Sequence, residues 1–596
     1  MSYEDHFHVM ENHNARRGPP RPVITVSHVS RRWRKIAISC QTLWSTSLPC
    51  GSLDWTLLCL ARCSSASFDL AVSGLDLVES EEYRAAYEVV LPHLARVRSV
   101  AYDLDTEDLS YKRGSAPIAL RRLFNKLSTT VMPLAKELQV FHFTEYQPLE
   151  DIPRLELTNT MPALETVFFN GIVYRPPCGH TIFPSTLRSL IMSDSNCWWT
   201  VDEMINILRT TPMLEWLDIE VYPQTFKHGM DSKTSSVYPP RCVRLSKLKK
   251  FICKSGTFVR NMLIFGYLAV PSNAELRLRL MHDTGNVELV SDSPELVTDL
   301  WPFIDAAVHA HFAPALDHAA FYPSVFLDKH SVSVEAKNGK LPWDPELPDG
   351  SIARHLLPEL VTLEVPQVGD ELNRHDNDPR EPRPFHDQIF AMWLSLPIFT
   401  RARVIHLNPR FDRFSFDFLK RFTDVQSIHF HSLVMLRDHF CEMLVRENPN
   451  GTRALFPKLT TIHVGCERPS VYGRPPMDTD GNPMTLLARL ACLLRSLWGS
   501  TFKHLVLHRS NALFNEHAAV ALLKGILGAD RVVCTDDGRS MDCCCYMPPI
   551  MPRRESEDEE RPTERRDEEG SDESDDDDDD DDDGDGDGDH EDGDHQ

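Results

Sequence analysis

The 596-residue sequence has no apolar run long enough to span a bilayer. Its opening residues, MSYEDHFHVMENHNARR, lack an apolar h-region, so no secretory signal is expected. Fifteen cysteines are scattered without a disulfide framework, and with no secretion signal they point to a reducing compartment, cytoplasmic or nuclear. A phosphate-binding glycine loop, an H-E-x-x-H helix and a G-x-S-x-G elbow are all missing. No constellation supports catalysis, and no cofactor is expected.

Positive charge in excess is missing as well. From Arg553 to Gln596 there are 26 Asp and Glu against five Arg, a net of −21, which leaves −4 of the total −25 for the rest of the chain. A nearly neutral body presents no basic surface for nucleic acid, and an anionic tail does not favour an anionic membrane. Nine consecutive aspartates, Asp575–Asp583, have nothing apolar to bury and repel one another, so residues 551–596 are expected to be a disordered acidic tail. It either solubilises the chain or serves as an arm for basic proteins. Residues 1–22 are also expected to be disordered.

Metal ligands are weakly represented. Asp583, Asp585, Asp587, Gly588 and Asp594 fall on positions of a calcium loop, but the segment has no flanking helices and its composition produces such matches by chance. Cys543, Cys544 and Cys545 have no second ligand pair at zinc spacing. His309/His311 and His429/His431 are His-x-His pairs, and residues two apart on a strand share a face. The plainer reading is surface or half-buried histidine, so no metal site is expected.

What the sequence does contain begins at VSHVSRRWRKIAISCQTLWS, residues 26–45. Val26, Val29, Trp33, Ile36 and Ala37 recur at spacings of three and four, one face of an amphipathic helix. Arg31, Arg32, Arg34 and Lys35 fall on the solvated side. Leu43 and Trp44 follow a short break at 39–42. Trp33 is expected to pack against Leu43 or Trp44, because two tryptophans on a short unit need a surface to bury them.

This stretch resembles the second half of an F-box, in which an apolar helix carrying V-C-R-x-W-R-x-I-A precedes a short loop and L-W. It is most similar to the fungal F-box-like proteins, where an A-P-L/F-D-L strand follows. Here the motif reads Val29 to Ala37, then Leu43-Trp44, then Ala66-Ser67-Phe68-Asp69-Leu70. The resemblance implies a unit over 23–48 that binds a Skp-type adaptor of a cullin ubiquitin ligase through Val26, Val29, Trp33, Ile36, Leu43 and Trp44. The family's first half, a Leu-Pro-x-Glu-Ile-Leu helix, has no counterpart before Val26. There ENHNARRGPPRP, with three prolines and a glycine in twelve residues, cannot form that helix.

Behind this unit an apolar-x-x-apolar-x-apolar pattern recurs. It runs from Val97-Val100-Tyr102 through units led by Leu138, Leu164, Leu187, Leu214 and Leu248. It resumes with units led by Leu360, Ala402, Val425 and Leu459, and ends at Phe502-Leu505-Leu507. In each, the last two apolar residues occupy one face of a short strand and the first packs beneath. Helical spacing appears between the later strands, in 417–422, 435–448, 484–498 and 516–527. A last strand is expected near 531–534, with positions 405, 428, 462, 505 and 533 aligned.

The pattern resembles an irregular leucine-rich-repeat solenoid. The expected fold is therefore α/β, with parallel strands and outer helices over 49–540. Within 255–358, 273–278 reads as a strand of period two and 300–312 as a helix. Segments 337–350 and 370–384 read as loops. The resemblance implies a non-catalytic receptor whose sheet face holds a target protein. The alternative is a protein-interaction scaffold that no longer joins a ligase. Residues between the buried ones are the expected target contacts: Thr166 and Phe168, Ser189 and Ile191, Trp216 and Asp218, Lys250 and Ile252.

Overall fold

In a computed structural model of the chain, the described residues are 24–25, 28–45, 47–103, 125–127, 129–141, 157–172, 182–221, 230–280, 293–328, 331–334, 356–364, 384–407, 416–430, 438–447, 455–464, 483–508 and 517–535. All belong to one unit, Met1–Tyr546. Several expectations lie outside them: the N-terminus, Val26, His431, the cysteine triplet, the loops 337–350 and 370–383, and the acidic tail with its calcium-loop mimic.

The protein is α/β. Its short strands begin with β1 (Ser47–Leu48), β2 (Phe68–Ser73), β3 (Val97–Asp103), β4 (Glu137–Phe141), β5 (Thr166–Asn170), β6 (Ser189–Ser193) and β7 (Trp216–Val221). They continue as β8 (Val243–Arg244), β9 (Lys250–Ser255), β10 (Leu268–Ala269), β11 (Glu275–Leu280), β12 (Ser324–Asp328), β13 (Ser331–Val334) and β14 (Val361–Glu364). The last five are β15 (Val404–Leu407), β16 (Ser427–Phe430), β17 (Thr461–Val464), β18 (His504–His508) and β19 (Val532–Thr535). Seventeen of them join one sheet, while β8 and β10 pair separately.

Strands β1 to β7 lie side by side in chain order and all parallel, and β9 and β11 continue the series. From 402 onward the expected series is present: β15, β16, β17, β18 and β19 are parallel neighbours in that order. Between the two series the order inverts. β11 pairs with β14, which runs antiparallel to β13, which runs antiparallel to β12, which pairs parallel with β15. The purely parallel expectation is corrected here. A connection as short as that from Asp328 to Ser331 returns the chain only as an antiparallel hairpin, since a parallel return needs a long crossover.

The repeat register explains why these strands form. Val100 and Tyr102, Val167 and Phe169, Leu190 and Met192, Leu217 and Ile219 all point to one face and are buried, with Val97, Leu164, Leu187 and Leu214 beneath them. The same holds for Ile405 and Leu407, Ile428 and Phe430, Ile462 and Val464, Leu505 and Leu507. Two units are shifted from the expected spacing. Their buried pairs are Leu138 with Val140, where the pattern indicated Phe141 and Phe143, and Val361 with Leu363, where it indicated Leu363 and Val365, so the inner pairs come three and two residues early. At the last strand Leu505 pairs with Val532, so Val532 and not Val533 continues the inner row; Val533 sits opposite Val506 on the other face.

Helices supply the crossovers and cover that same inner face. The helix Val201–Arg209 opens on a capping box, in which Thr200 accepts from Glu203 N–H and Glu203 accepts from Thr200 N–H, both at 3.2 Å. The expected helices between later strands appear as Asp438–Glu447, Pro483–Trp498 and His517–Leu527, with a 3-10 turn at Phe416–Arg421. Phe440, Leu444, Leu490, Leu494, Trp498 and Leu523 share one core with Ile428, Ile462 and Leu505. The expected strand at 273–278 and helix at 300–312 are β11 and Pro294–Asp317. That long helix lies against Phe258–Tyr267 so closely that any side chain at Gly266 would run into the Phe303 ring.

The N-terminal unit departs from expectation: the helix begins only at Arg31, behind an extended Ser30, so Val29 lies outside it. Trp33 does not pack inward; it is 50% exposed, and of the helix Arg31–Ser39 only Ala37 is buried. Trp44 takes the inner position. It is 7% exposed, and its Nε1 donates to the Ala37 carbonyl oxygen at 2.7 Å. One indole bound to the last turn of the helix leaves no buried place for a second. Trp44→Ala is accordingly expected to cost about 3–5 kcal/mol, whereas Trp33→Ala costs less than about 1 kcal/mol. Urea midpoints of the two variants check this; equal losses would contradict the inversion of the two roles.

Candidate functional site

Two surfaces carry the residues singled out in the sequence. The first is the helix Arg31–Ser39. Ser30 caps it by accepting from Trp33 N–H at 3.2 Å. Two residues past its end, Gln41 begins the short helix Gln41–Trp44 and fastens it to the body. Its Oε1 accepts from Ser65 N–H at 3.0 Å, Ser65 O–H at 2.8 Å and Ala66 N–H at 3.1 Å, just ahead of β2. Gln41 escaped the sequence reading because an isolated glutamine carries no periodic signal.

The six residues read as adaptor contacts therefore divide. Val26 lies outside the described residues. Leu43 and Trp44 turn toward the body, where Leu43 packs on the core. Val29, Trp33 and Ile36 turn outward, 67%, 50% and 41% exposed. Trp33 and Ile36, three apart on the helix, are neighbours on its exposed side, while Val29 precedes the extended cap Ser30. Arg31, Arg32, Arg34 and Lys35 beside it are exposed as well.

The second surface is the sheet face away from the helical core. The strand ladder sets Thr166, Ser189, Trp216 and Lys250 in one row across β5, β6, β7 and β9. Phe168, Ile191, Asp218 and Ile252 form the next row. All eight expected contacts thus share one face, as the period-two argument requires. They differ in access. Phe168, Ile191 and Ile252 are buried, and Phe168 and Ile191 form a second small apolar cluster with Ala101 and Phe141. Thr166, Ser189, Trp216, Asp218 and Lys250 remain half-buried.

This face becomes charged toward its middle. Lys250 Nζ stands 4.2 Å from the centre of the Trp216 ring, a cation–π contact. Lys254 pairs with Glu220 at 3.2 Å and Arg277 with Glu275 at 2.7 Å. Beyond the hairpin it becomes aromatic. Phe326, His406, His429 and His463 stack across β12, β15, β16 and β17, with successive ring centroids 4.1, 4.5 and 3.9 Å apart. His406 shares a hydrogen bond with Ser324 Oγ at 3.0 Å, and His429 one with Ser427 Oγ at 3.1 Å. The column was visible as Ile-His recurring in VIHL, SIHF and TIHV, but the His-x-His spacing drew attention along the strand instead of across it.

The other histidine pair separates. His309 and His311 lie on a helix, where residues two apart diverge. His309 is exposed, and its Nδ1 hydrogen-bonds the Asp305 carbonyl. His311 is buried against Phe265 and Phe312, and burial pushes its pKa down to about 3. Among the described residues no cluster of His, Cys, Asp or Glu is arranged to hold a metal.

Asp218 sets a pH dependence. Burial raises its pKa from 3.8 to about 6, against the opposing pull of Lys254. Between those values the folded protein holds a proton that the unfolded chain has released. Stability therefore falls as pH rises through this window and stays lower above it. Asp218→Asn should gain on the order of 2 kcal/mol relative to the parent between pH 4 and 7. Denaturant midpoints across that range measure it; a difference independent of pH would contradict the assignment.

Compared with known proteins, the chain matches no protein family, and no curated protein matches it either.

Proposed function

We propose that the chain is a non-catalytic, F-box-like substrate receptor: an N-terminal unit docks on a Skp-type adaptor, and a leucine-rich-repeat-like solenoid holds the target protein for ubiquitin transfer by other subunits. The observation that carries this reading is the exposed pair Trp33 and Ile36 on the helix Arg31–Ser39, with exposed Val29 just ahead of its cap. A tryptophan half in water on a helix with one buried residue does little for the fold. Large apolar side chains gathered on one exposed face are what a partner surface uses, with tryptophan foremost among interface anchors. Exposure removes the packing argument for Trp33 and leaves the docking argument in its place.

The solenoid half of the proposal draws on the strand series. Each repeat has an apolar face that it cannot bury alone, so stacking of neighbours is what stabilises it. The sheet face of β5, β6, β7 and β9 is then the place for a target, with Trp216, Asp218 and Lys250 as its accessible polar and aromatic contacts. In this reading the protein works inside the cell and performs no chemistry itself. Among the described residues no helix is long and apolar enough to cross a membrane. The acidic tail keeps the receptor soluble.

A scaffold that has left the ligase is the second reading. It is favoured by the missing counterpart of the box's first half, the stretch ENHNARRGPPRP. Binding of a purified Skp-type adaptor to the full chain separates the two. The receptor reading expects saturable binding that weakens at least about 30-fold in Trp33→Asp, the loss of a hot-spot anchor worth about 2 kcal/mol or more. Trp33 is exposed, so the variant should keep its fold. Binding unaltered by Trp33→Asp, or no binding by the parent chain, would leave the scaffold. Deletion of residues 553–596 should leave target capture unchanged while lowering solubility; a salt-sensitive, tail-dependent histone complex would instead make the tail a binding arm.

A further inference from the structure

Directly behind the N-terminal unit lies a group of thiols that neither docking surface uses. Cys50 follows β1, Cys59 sits in the helix Leu53–Arg62, and Cys63 caps that helix one turn later. All three are buried. The Sγ atoms of Cys50 and Cys59 are 4.0 Å apart, in contact but unbonded. Cys50 is held in place because its N–H donates to Thr56 Oγ1 at 3.0 Å, and Thr56 in turn donates to the Ser52 carbonyl at 2.9 Å. Cys63 faces a different partner, the Arg96 guanidinium, 3.3 Å from its sulfur.

We propose that Cys50 and Cys59 are a redox-active dithiol, which a peroxide closes to an intramolecular disulfide and a small thiol reopens. Closure needs an approach of about 2 Å between the sulfurs. The plain alternative is that these are apolar core cysteines. Other buried cysteines behave that way: burial pushes the Cys197 thiol up to about 12 and the Cys253 thiol higher still. Cys50 goes the other way. Its hydrogen-bond contact with the Cys59 sulfur lowers its pKa against the effect of burial. A thiolate is the nucleophile toward peroxide.

The chemistry balances in two steps. The Cys50 thiolate attacks hydrogen peroxide, breaking the O–O bond to give Cys50 sulfenic acid and hydroxide. The Cys59 sulfur then attacks the sulfenic sulfur, forming the disulfide and releasing water, with the Cys59 proton passing to the departing oxygen. Peroxide is reduced and the two thiols are oxidised. The bridge links the turn after the N-terminal unit to the helix Leu53–Arg62, whose Arg62 lies over the Trp44 ring at 5.8 Å.

The test uses the full-length protein, graded hydrogen peroxide and mass spectrometry after alkylation of free thiols. Asp54 lies between the two cysteines, so cleavage at aspartate leaves two peptides joined only through the bridge. The proposal expects a Cys50–Cys59 link at the lowest effective dose, ahead of any oxidation of Cys197, Cys253 or Cys441, and lost on adding dithiothreitol. In Cys59→Ser, Cys50 should stop at the sulfenic acid and be trapped by dimedone. Oxidation of the other buried cysteines first, or pairing of Cys50 with Cys40 or of Cys59 with Cys63, overturns it. The mapping on the parent chain decides the question even if the variant does not fold.

Discussion

A parallel strand cannot hand the chain straight to its neighbour. It must cross back over the sheet first, and that requirement organises nearly everything in this protein. Each return brings a loop or helix over one face of the sheet. That face must then be apolar on every strand, in register, or the crossover has nothing to rest on. The rows Val167, Leu190, Leu217, Phe251 and Ile405, Ile428, Ile462, Leu505 satisfy this constraint on both sides of the central hairpin. With one face committed to the core, the other carries the variety: an apolar cluster, a charged middle and a column of stacked histidines.

The division explains what was legible in advance. The inner rows repeat because packing demands it, so a three-residue spacing rule found most strands and their direction. It failed where local sequence offered two apolar registers. Leu138-Gln139-Val140-Phe141 is apolar at three of four positions, and the strand uses Leu138 and Val140 inward while Phe141 joins the outer cluster. The β12–β13 hairpin was not anticipated because β13 lacks the leading apolar residue of the repeat, having Lys329 three residues ahead of Val332, although β12 has the buried Tyr322 ahead of Val325 and Leu327. The outer face was legible only in part. Its eight named residues do share one surface, since alternation guarantees it. Which of them meet solvent depends on what lies over the face, and nothing in their own strands encodes that.

The N-terminal unit shows the same limit from the other side. Helical spacing found the helix itself, Arg31–Ser39, but of the face it marked only Ala37 is buried. It could not say which of two indoles would be inside, because both positions satisfy the spacing. The deciding contact is a single hydrogen bond from Trp44 to the Ala37 carbonyl, supported by Gln41 reaching to Ser65 and Ala66. Anchoring by Trp44 leaves Trp33 available to something else. On that reading the two tryptophans of the motif have separate tasks, one holding the helix to the body and the other meeting a partner.

That separation is the centre of the functional account, and affinity purification of the intact chain from cells, with quantitative mass spectrometry, tests it most directly. The account predicts a Skp-type adaptor and a cullin recovered in near-stoichiometric amounts with the chain. Recovery of target proteins without adaptor or cullin peptides, at any stringency of washing, would contradict it and leave an interaction scaffold in place of a ligase receptor.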